Sequence, residues 1–473
     1  MIEGLSPYPE YRDSGVAWVG KVPAGWRVES VYRMGRVQGG KALAAKAPGE
    51  QRPYLRVANV LDGVIRTQSA HTMPFTEEEF ELFRLREGDV LLNEGQSLEL
   101  VGRAALYRGE PEACAFQNSL IRVQASGHVL PRFLERLFRY AQASGIFATI
   151  ATQTTSIAHL GVSRLADLVL ALPPLDEQHA IVRFLDHLEQ RIHAYSAKRR
   201  RLIALLDEEK RAVVERAVTQ GLNPGVRLKD SGIEWLGTVP EGWPVGRLAR
   251  VFDERVSSGR EGLPVLSVSI RNGVSPSAEI DERGKPRKRI QDIESYKLAE
   301  PGDLVYNTMR MWQGALGVSP CRGLVSPAYV VAAPRVGVFT DYFALLFRLP
   351  AFLQEANRSS RGIVSDRNRL YWDDFRQIRC VVPPLEEQRQ IVASIAAASA
   401  PIVAAQAAIT RELDLLRDYR ARVISDVVTG KVDVRSAAAS LPDLAELPTD
   451  DTSDETEDDE TDRTDDETVD EET

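Results

Sequence analysis

Pro173-Pro174-Leu175-Asp176-Glu177-Gln178-His179-Ala180-Ile181-Val182 returns at an offset of 210 as Pro383-Pro384-Leu385-Glu386-Glu387-Gln388-Arg389-Gln390-Ile391-Val392, with seven identities in ten. Each copy opens a long stretch of helical periodicity. From Ile181 the stripe runs through Leu185, Leu188, Ile192, Tyr195, Arg199, Leu202, Leu206, Glu209 and Val213, in alternating steps of four and three. The second copy gives Ile391, Ile395, Ala398, Ile402, Ala405, Ile409, Glu412, Leu416, Tyr419 and Val423 on the same schedule. A stripe with that spacing winds one helix on another as a left-handed coiled coil. The proline pairs close off a preceding strand, and the acidic pairs Asp176-Glu177 and Glu386-Glu387 sit in the first turn, where the helix dipole favours negative charge. Gln220-Gly221-Leu222-Asn223-Pro224 and Thr429-Gly430 supply the stops. The spacing predicts a helix over 175–219, roughly 65–70 Å long.

Working outward, the whole chain proves to be written twice. Residues 13–26, DSGVAWVGKVPAGW, return at 230–243 as DSGIEWLGTVPEGW with nine identities in fourteen, and GDVLLN at 88–93 returns as GDLVYN at 302–307. Each copy thus has an aromatic strap, a variable domain and a long helix. The variable domains carry short runs with turn residues between them, such as Pro53-Tyr54-Leu55-Arg56-Val57, Asp89-Val90-Leu91-Leu92 and Ser119-Leu120-Ile121-Arg122-Val123. Pro264-Val265-Leu266-Ser267-Val268, Asp303-Leu304-Val305-Tyr306 and Ala328-Tyr329-Val330-Val331-Ala332 are the second set. They predict an α+β fold with a curved β-sheet in each variable domain. The short helix Phe133–Phe138 has its counterpart at Tyr342–Phe347. The expected layout is a strap and first variable domain over 1–172, a long helix over 173–222, a second strap and domain over 223–382, a second long helix over 383–436 and a tail over 437–473. Two such halves approximate a two-fold axis, with the helices antiparallel as a spacer between the domains.

The chain has 473 residues and a net charge of −9, but residues 441–473 alone hold 17 Asp/Glu against one Arg. Residues 1–440 therefore carry 58 Lys/Arg against 51 Asp/Glu and are basic. The tail lacks aromatic residues and is expected to be disordered, because it has almost no apolar surface to offset the cost of ordering a backbone. A basic body ahead of an acidic tail favours a nucleic-acid partner. Cys114, Cys321 and Cys380 stand far apart with no metal-ligand spacing, so neither disulfide nor zinc is expected. The start, MIEGLSPYPEYRDSG, has neither a basic n-region nor an apolar h-region and no apolar run approaches 18 residues, which predicts a cytoplasmic protein.

Pro-Pro-Leu-x-Glu-Gln-x-x-Ile opening a long helix, twice, behind two straps of the form Asp-Ser-Gly-x-x-Trp-x-Gly-x-x-Pro-x-Gly-Trp, resembles the specificity subunits of type I restriction-modification systems. The resemblance spans residues 13 to about 435. It implies two target recognition domains, each reading half of a split double-stranded DNA sequence, and helices that bind methyltransferase subunits. It also implies possible endonuclease/translocase partners, with S-adenosylmethionine, ATP and Mg in the partner subunits and no cofactor in this chain. Pro174, Leu175, Glu177, Gln178, Pro384, Leu385, Glu387 and Gln388 mark the helix starts as partner-binding candidates. The outward residues Arg191, Lys198, Arg200, Arg201, Arg411 and Arg417 offer further docking positions.

Catalytic signals are sparse. There is no Asn-Pro-Pro-Tyr or Asp-Pro-Pro-Tyr to hold a flipped adenine, and no glycine-rich loop after a strand to hold a methyl donor. Gly35-Arg36-Val37-Gln38-Gly39-Gly40-Lys41-Ala42 nearly matches a P-loop, but Ala42 stands where a hydroxyl would bind magnesium. Glu208-Glu209-Lys210 lies within the heptads and reads as a solvated face. His179, His187 and His193 lack the i, i+4 spacing of a metal pair. The chain therefore reads as non-catalytic. Its rivals are a self-contained modification enzyme, a scaffold without a DNA role, and the recognition subunit of another phage-defence assembly.

Candidate DNA contacts follow from residue type. Arg suits guanine O6/N7, and Asn or Gln suits adenine N6/N7. The loop 361–369, with Arg361, Arg367, Asn368 and Arg369, aligns with 151–159, where Gln153, Thr154 and Thr155 stand. Asn93 and Gln96 align with Asn307 and Arg310 as a second pair. The loop at 283–289, with Lys285, Arg287 and Lys288, suits phosphate contacts. Arg52, Arg56, Arg271 and Asn272 complete the set. Trp18, Trp26, Trp235 and Trp243 are expected to anchor each domain on a helix end, since both straps share their spacing.

Overall fold

The structure, a computed structural model, describes residues 5–42, 48–68, 70–153, 157–259, 262–277, 295–362 and 368–442. The chain divides into two compact units, unit 1 from residues 1–197 with 413–473 and unit 2 from residues 198–412. The acidic tail beyond residue 442 lies outside the described residues.

Unit 1 is organised by a four-stranded antiparallel sheet of β1 (Gly35–Gly39), β2 (Asp89–Asn93), β3 (Ala104–Leu106) and β4 (Leu120–Ala125), in the order β1-β4-β2-β3. Unit 2 repeats it with β5 (Phe252–Glu254), β6 (Leu304–Asn307), β7 (Leu316–Val318) and β8 (Tyr329–Pro334), in the order β5-β8-β6-β7. The register repeats as well, with Asn93 opposite Leu120 and Asn307 opposite Tyr329. Val90 and Leu92 join one apolar cluster while Leu91 joins another, and Leu304 and Tyr306 are split from Val305 in the same way. Both faces are covered, which is why these strands read as continuous apolar runs rather than alternating ones. The larger cluster of each unit includes a helix laid on the sheet, α1 (Pro131–Ala143) in unit 1 and α3 (Thr340–Leu346) in unit 2. Gly88 (φ +91°) and Gly302 (φ +87°) take left-handed turns, and the next residue, Asp89 or Asp303, accepts a backbone N–H three residues earlier. That is the physical content of the repeated Gly-Asp pair.

Two long helices complete the architecture, α2 (Leu175–Gln220) and α4 (Leu385–Val428). Each unit takes a part of each. Ile181 and Leu185 cluster with Val423 and Val427 in unit 1, and Ala217 and Val218 with Ile391 and Ile395 in unit 2. Glu189 meets Arg420 at 2.8 Å in unit 1. In unit 2 Arg199 meets Glu412 at 3.0 Å and Asp207 accepts from Gln406 at 2.8 Å, so the helices run antiparallel. The predicted stripe is half right. Tyr195, Leu202, Glu209, Ala398 and Tyr419 are exposed, while their neighbours Ser196, Ile203, Lys210, Ser399 and Arg420 turn inward. The cause is a step of four, Ile192 to Ser196, following another step of four, Leu188 to Ile192. Such a step breaks the strict seven-residue repeat and locally unwinds the supercoil.

The charge-free stretch from Ile391 to Ile409 corrects the expectation that no apolar run approaches membrane length. Within α4 an 18-residue window reaches a mean hydropathy of 1.7, enough by length and composition to cross a membrane. Ile391, Ile395, Ile402 and Ile409 are buried there and Gln406 bonds to Asp207 of α2, so one face of the run packs within the chain while most of its residues are exposed.

Candidate nucleic-acid interface

Each strap and its sheet domain are fixed to a long helix by the same few contacts. In the strap of unit 1, Asp13 accepts the N–H of Gly15 and Ser14 that of Val16, and in unit 2 Asp230 and Ser231 do the same for Gly232 and Ile233. The turn brings a buried tryptophan onto the helix start. Trp26 Nε1 donates to Glu177 at 2.9 Å and Trp243 Nε1 donates to Glu387 at 2.8 Å. The next residue of the motif clamps the domain itself. Gln178 accepts the N–H of Leu130 and donates to the carbonyls of His128 and Pro173, while Gln388 accepts from Phe339 and donates to Gly337 and Pro383. Gly430 lies so close to Pro23 and Trp26 that a Cβ would stand 2.6 Å from the proline ring.

These bonds correct two expectations. Glu177, Gln178 and Gln388 are buried and bonded within the chain, so their side chains are not open to a partner, whereas Pro174, Leu175 and Pro384 are exposed and Leu385 and Glu387 partly so. Trp26 and Trp243 anchor on the helix starts as expected. Trp18 instead lies half exposed and donates to the carbonyl of Val169, and Trp235 packs edge-on against Phe352.

In unit 1 two candidate base readers come together. Strands Thr152–Gln153, Ala158–His159 and Gly95–Gln96 form a small sheet in which Gln153 and Gln96 pair with Ala158 from either side. One register row thus carries two glutamines flanking a residue with almost no side chain. Their Cα atoms lie about 10 Å apart across two strand spacings. Glu94 receives His159 Nδ1 at 3.1 Å beside them, a polar pair that the sequence reading passed over. The sheet is tied down by Leu160, whose N–H donates to the carbonyl of Glu94, and Leu370 repeats this bond onto Thr308 in unit 2. The two loops therefore occupy equivalent places.

In unit 2 the equivalent loop closes through paired backbone bonds between Arg361 and Arg369. Arg361 is exposed and donates to Asp374 at 2.6 Å, and that carboxylate holds its pKa above the usual arginine value. Asn368 donates to Asn357, Arg369 is exposed and Arg310 is partly buried. Arg271 and Asn272 are exposed at the tip of the hairpin Leu266–Ser269/Gly273–Pro276. Exposed apolar side chains border both loops in sequence, Leu98 and Ile157 in unit 1 and Met309 and Tyr371 in unit 2. A loop hydrophobe left in water beside polar residues is the signal that would have found them, because base readout also uses apolar contact with thymine methyls.

Other candidates are placed elsewhere. Asn93 is buried in β2 and donates to the carbonyl of Val60, so it is a core residue and not a base reader. Asn307, its counterpart, is likewise buried and caps Met309. Period-2 strand reading could not separate these inward amides from outward ones. Arg52 pairs with Glu50 and lies over the Phe80 ring, and Arg56 bonds to His71. Thr154, Thr155, Lys285, Arg287, Lys288 and Arg367 lie outside the described residues. Among the described residues no group of three or more His, Cys, Asp or Glu is placed to hold a metal ion.

The doubled domain on paired helices, with a different polar loop in each copy, defines a two-headed recognition protein. Residues 23–202 match the Type I restriction modification DNA specificity domain. Over 436 residues the chain is 22% identical to the provisionally named MjaX type I restriction enzyme specificity subunit of Methanocaldococcus jannaschii, covering 88% of this chain and 96% of the relative. Over 187 residues it is 25% identical to the type I restriction enzyme EcoKI specificity subunit of Escherichia coli, covering 37% and 40%. A solved chain, from work on complex assembly and conformational transition of the type I R-M system, shares the fold with a TM-score of 0.60 at 19% identity, covering 86% of this chain and 98% of that one. The chain is thus similar to type I restriction enzyme specificity subunits over most of its length and matches the specificity-domain family over residues 23–202.

Proposed function

We propose that this chain is the DNA sequence-specificity subunit of a type I restriction-modification complex, reading a bipartite double-stranded target with its two recognition domains. The observation that carries this reading is the doubled loop. On scaffolds with the same strand order, register and anchoring bonds, one unit presents Gln96 and Gln153 and the other presents Arg361 and Arg369. Glutamine matches adenine and arginine matches guanine in the major groove, so the heads are built to read different half-sites. The chain itself is non-catalytic in this reading. Methyltransferase subunits dock on its helices and supply S-adenosylmethionine chemistry, and endonuclease/translocase subunits bring ATP and Mg, all within the cytoplasm.

The test is domain exchange. With residues 30–170 replaced by the corresponding domain of another specificity subunit, the methylated motif mapped on genomic DNA should change in one half only. Changes in both halves, or in neither, would overturn the reading.

A further inference from the structure

The small sheet of unit 1 carries a second register row, Thr152, His159 and Gly95, on the face opposite the glutamine row. The two faces differ in what they meet. Ala158, in the middle of the glutamine row, is fully buried in the larger apolar cluster, whereas Thr152 is exposed and the His159 side chain keeps 43% of its surface in solvent. The His159 ring is nevertheless held on two sides. Glu94 bonds Nδ1 at 3.1 Å, and Gly95 lies so near the ring that a Cβ there would stand 3.3 Å from both Nδ1 and Cε1. A partly exposed pair of this kind adds little to stability, so its fixed geometry calls for another account.

The carboxylate decides what the ring can do. Ionised Glu94 only accepts, so the proton of the neutral imidazole sits on Nδ1 and Nε2 keeps its lone pair. Among the described residues nothing bonds to Nε2. A free acceptor on an exposed face fits the exocyclic amino groups, adenine N6 and cytosine N4, which are the hydrogen-bond donors of the major groove. Unit 2 supplies the contrast. Leu160 and Leu370 carry the same anchoring bond, to Glu94 and Thr308, so His159 and Arg369, each one residue earlier, occupy equivalent places. Arg369 is exposed, and arginine has only donors and suits guanine. One place on a repeated scaffold therefore presents opposite hydrogen-bonding characters, which is what two heads with different half-sites require.

We propose that His159 is a further specificity-determining residue of unit 1, accepting through Nε2 from the exocyclic amino group of one base, with Glu94 as its positioning residue. This assignment rests on the sequence-specificity function proposed for the chain. The complex co-purified with its methyltransferase subunits would be titrated, in mildly alkaline buffer where imidazole is neutral, against duplexes of the motif mapped by methylation. In the half-site assigned to unit 1 by domain exchange, purine replaces each adenine in turn and pyrimidin-2-one each cytosine, which removes the amino group alone. At one position the wild type should lose about five- to tenfold more affinity than His159→Ala, and at the others the two should lose the same. A difference in the purine series assigns adenine, and one in the pyrimidinone series assigns cytosine. Glu94→Gln, whose amide can donate to Nδ1 and so permits a protonated Nε2, should shrink the difference at that same position, an effect that a merely structural carboxylate would not confine to one base. If wild type and His159→Ala differ at no position, or if His159→Ala weakens every duplex equally as loss of a phosphate contact would, the proposal is overturned. A wild-type complex without any sequence preference would instead overturn the underlying function, so the two failures are told apart.

Discussion

Trp26 and Glu177, 151 residues apart, share a hydrogen bond of 2.9 Å, and Trp243 and Glu387 repeat it at 2.8 Å across 144 residues. The two bonds differ in one respect. Glu177 also accepts from Tyr8, and the buried Tyr8 hydroxyl has its pKa pushed well up by burial and by that carboxylate. Glu177→Ala therefore leaves two buried donors unsatisfied and should destabilise unit 1 by about 2–4 kcal/mol, whereas Glu387→Ala leaves one and should cost unit 2 about 1–3 kcal/mol. Urea unfolding followed by tryptophan fluorescence would compare them, and equal losses would count against the additive role of Tyr8.

The small sheet of unit 1 makes a prediction about specificity. Gln96→Ala and Gln153→Ala should each relax discrimination at one base pair of a single half-site by about 1–3 kcal/mol and leave folding unchanged. Asn93→Ala, two strand residues upstream of Gly95, should do the reverse. It removes a buried bond to Val60 and should lower stability without altering the preferred base. Binding to a panel of single-base target variants, alongside thermal melts, separates the two behaviours.

The ion pairs of Arg136 on α1 with Asp186 and Glu189 on α2 make unit 1 sensitive to acid. Burial pushes the Glu189 carboxyl up, but Arg136, Arg420 and Arg139 outweigh it and hold the group down at about 2, below its ordinary 4.5. A depressed folded-state pKa contributes stability that is complete above the unfolded value and is lost as pH falls from about 4.5 towards 2. Glu189→Gln should cost about 3–5 kcal/mol at neutral pH and flatten that acid limb. Glu135 is shifted the other way by burial, so Glu135→Gln should be neutral or stabilising at pH 7. Denaturant unfolding of both variants between pH 2 and 7 tests the opposite signs.

The acidic tail leads to a salt experiment. Leu441, the last turn before it, accepts a hydrogen bond from Arg183 on α2, so the polyanion is tethered to a basic body. Tethered charge competes with DNA phosphates at high effective concentration, and screening over about 10 Å at 0.1 M salt weakens that competition. Removal of residues 443–473 should strengthen binding to random DNA, most of all at low salt, with a smaller effect on target DNA. Unchanged affinity for random DNA at low salt would leave the tail no competitive role.

How much of this could be read in advance depended on whether a residue acts through a pattern or through a place. The repeats, the helix bounds and the strand pairs were legible because periodicity and turn residues act locally, as Gly88-Asp89 and Gly302-Asp303 show. The inward turn of Ser196 and Arg420 was not, since the step of four that shifts the stripe depends on the partner helix. Asn93 misled because an amide in a strand looks the same from either side of the sheet. Gln96 and Gln153 were named separately, and only tertiary pairing through Ala158 puts them in one row. The ion pairs around Arg136 and Arg139 were missed because their residues are scattered from 62 to 420 and look individually like solvated charges.

The antiparallel helix pair has a consequence for how such chains diversify. Unit 2 is a single continuous piece of sequence, and the chain passes into it and out of it at neighbouring points, since Arg199 and Glu412 at its two ends touch at 3.0 Å. In topological terms it is an insertion with adjacent ends. A gene conversion with breakpoints near codons 198 and 412, both inside regular helix, would exchange one complete reading head while leaving every internal bond of the other untouched. The fold therefore makes recognition inheritable as a cassette, and new combinations of half-sites need no compensating changes beyond the few helix residues at the seam.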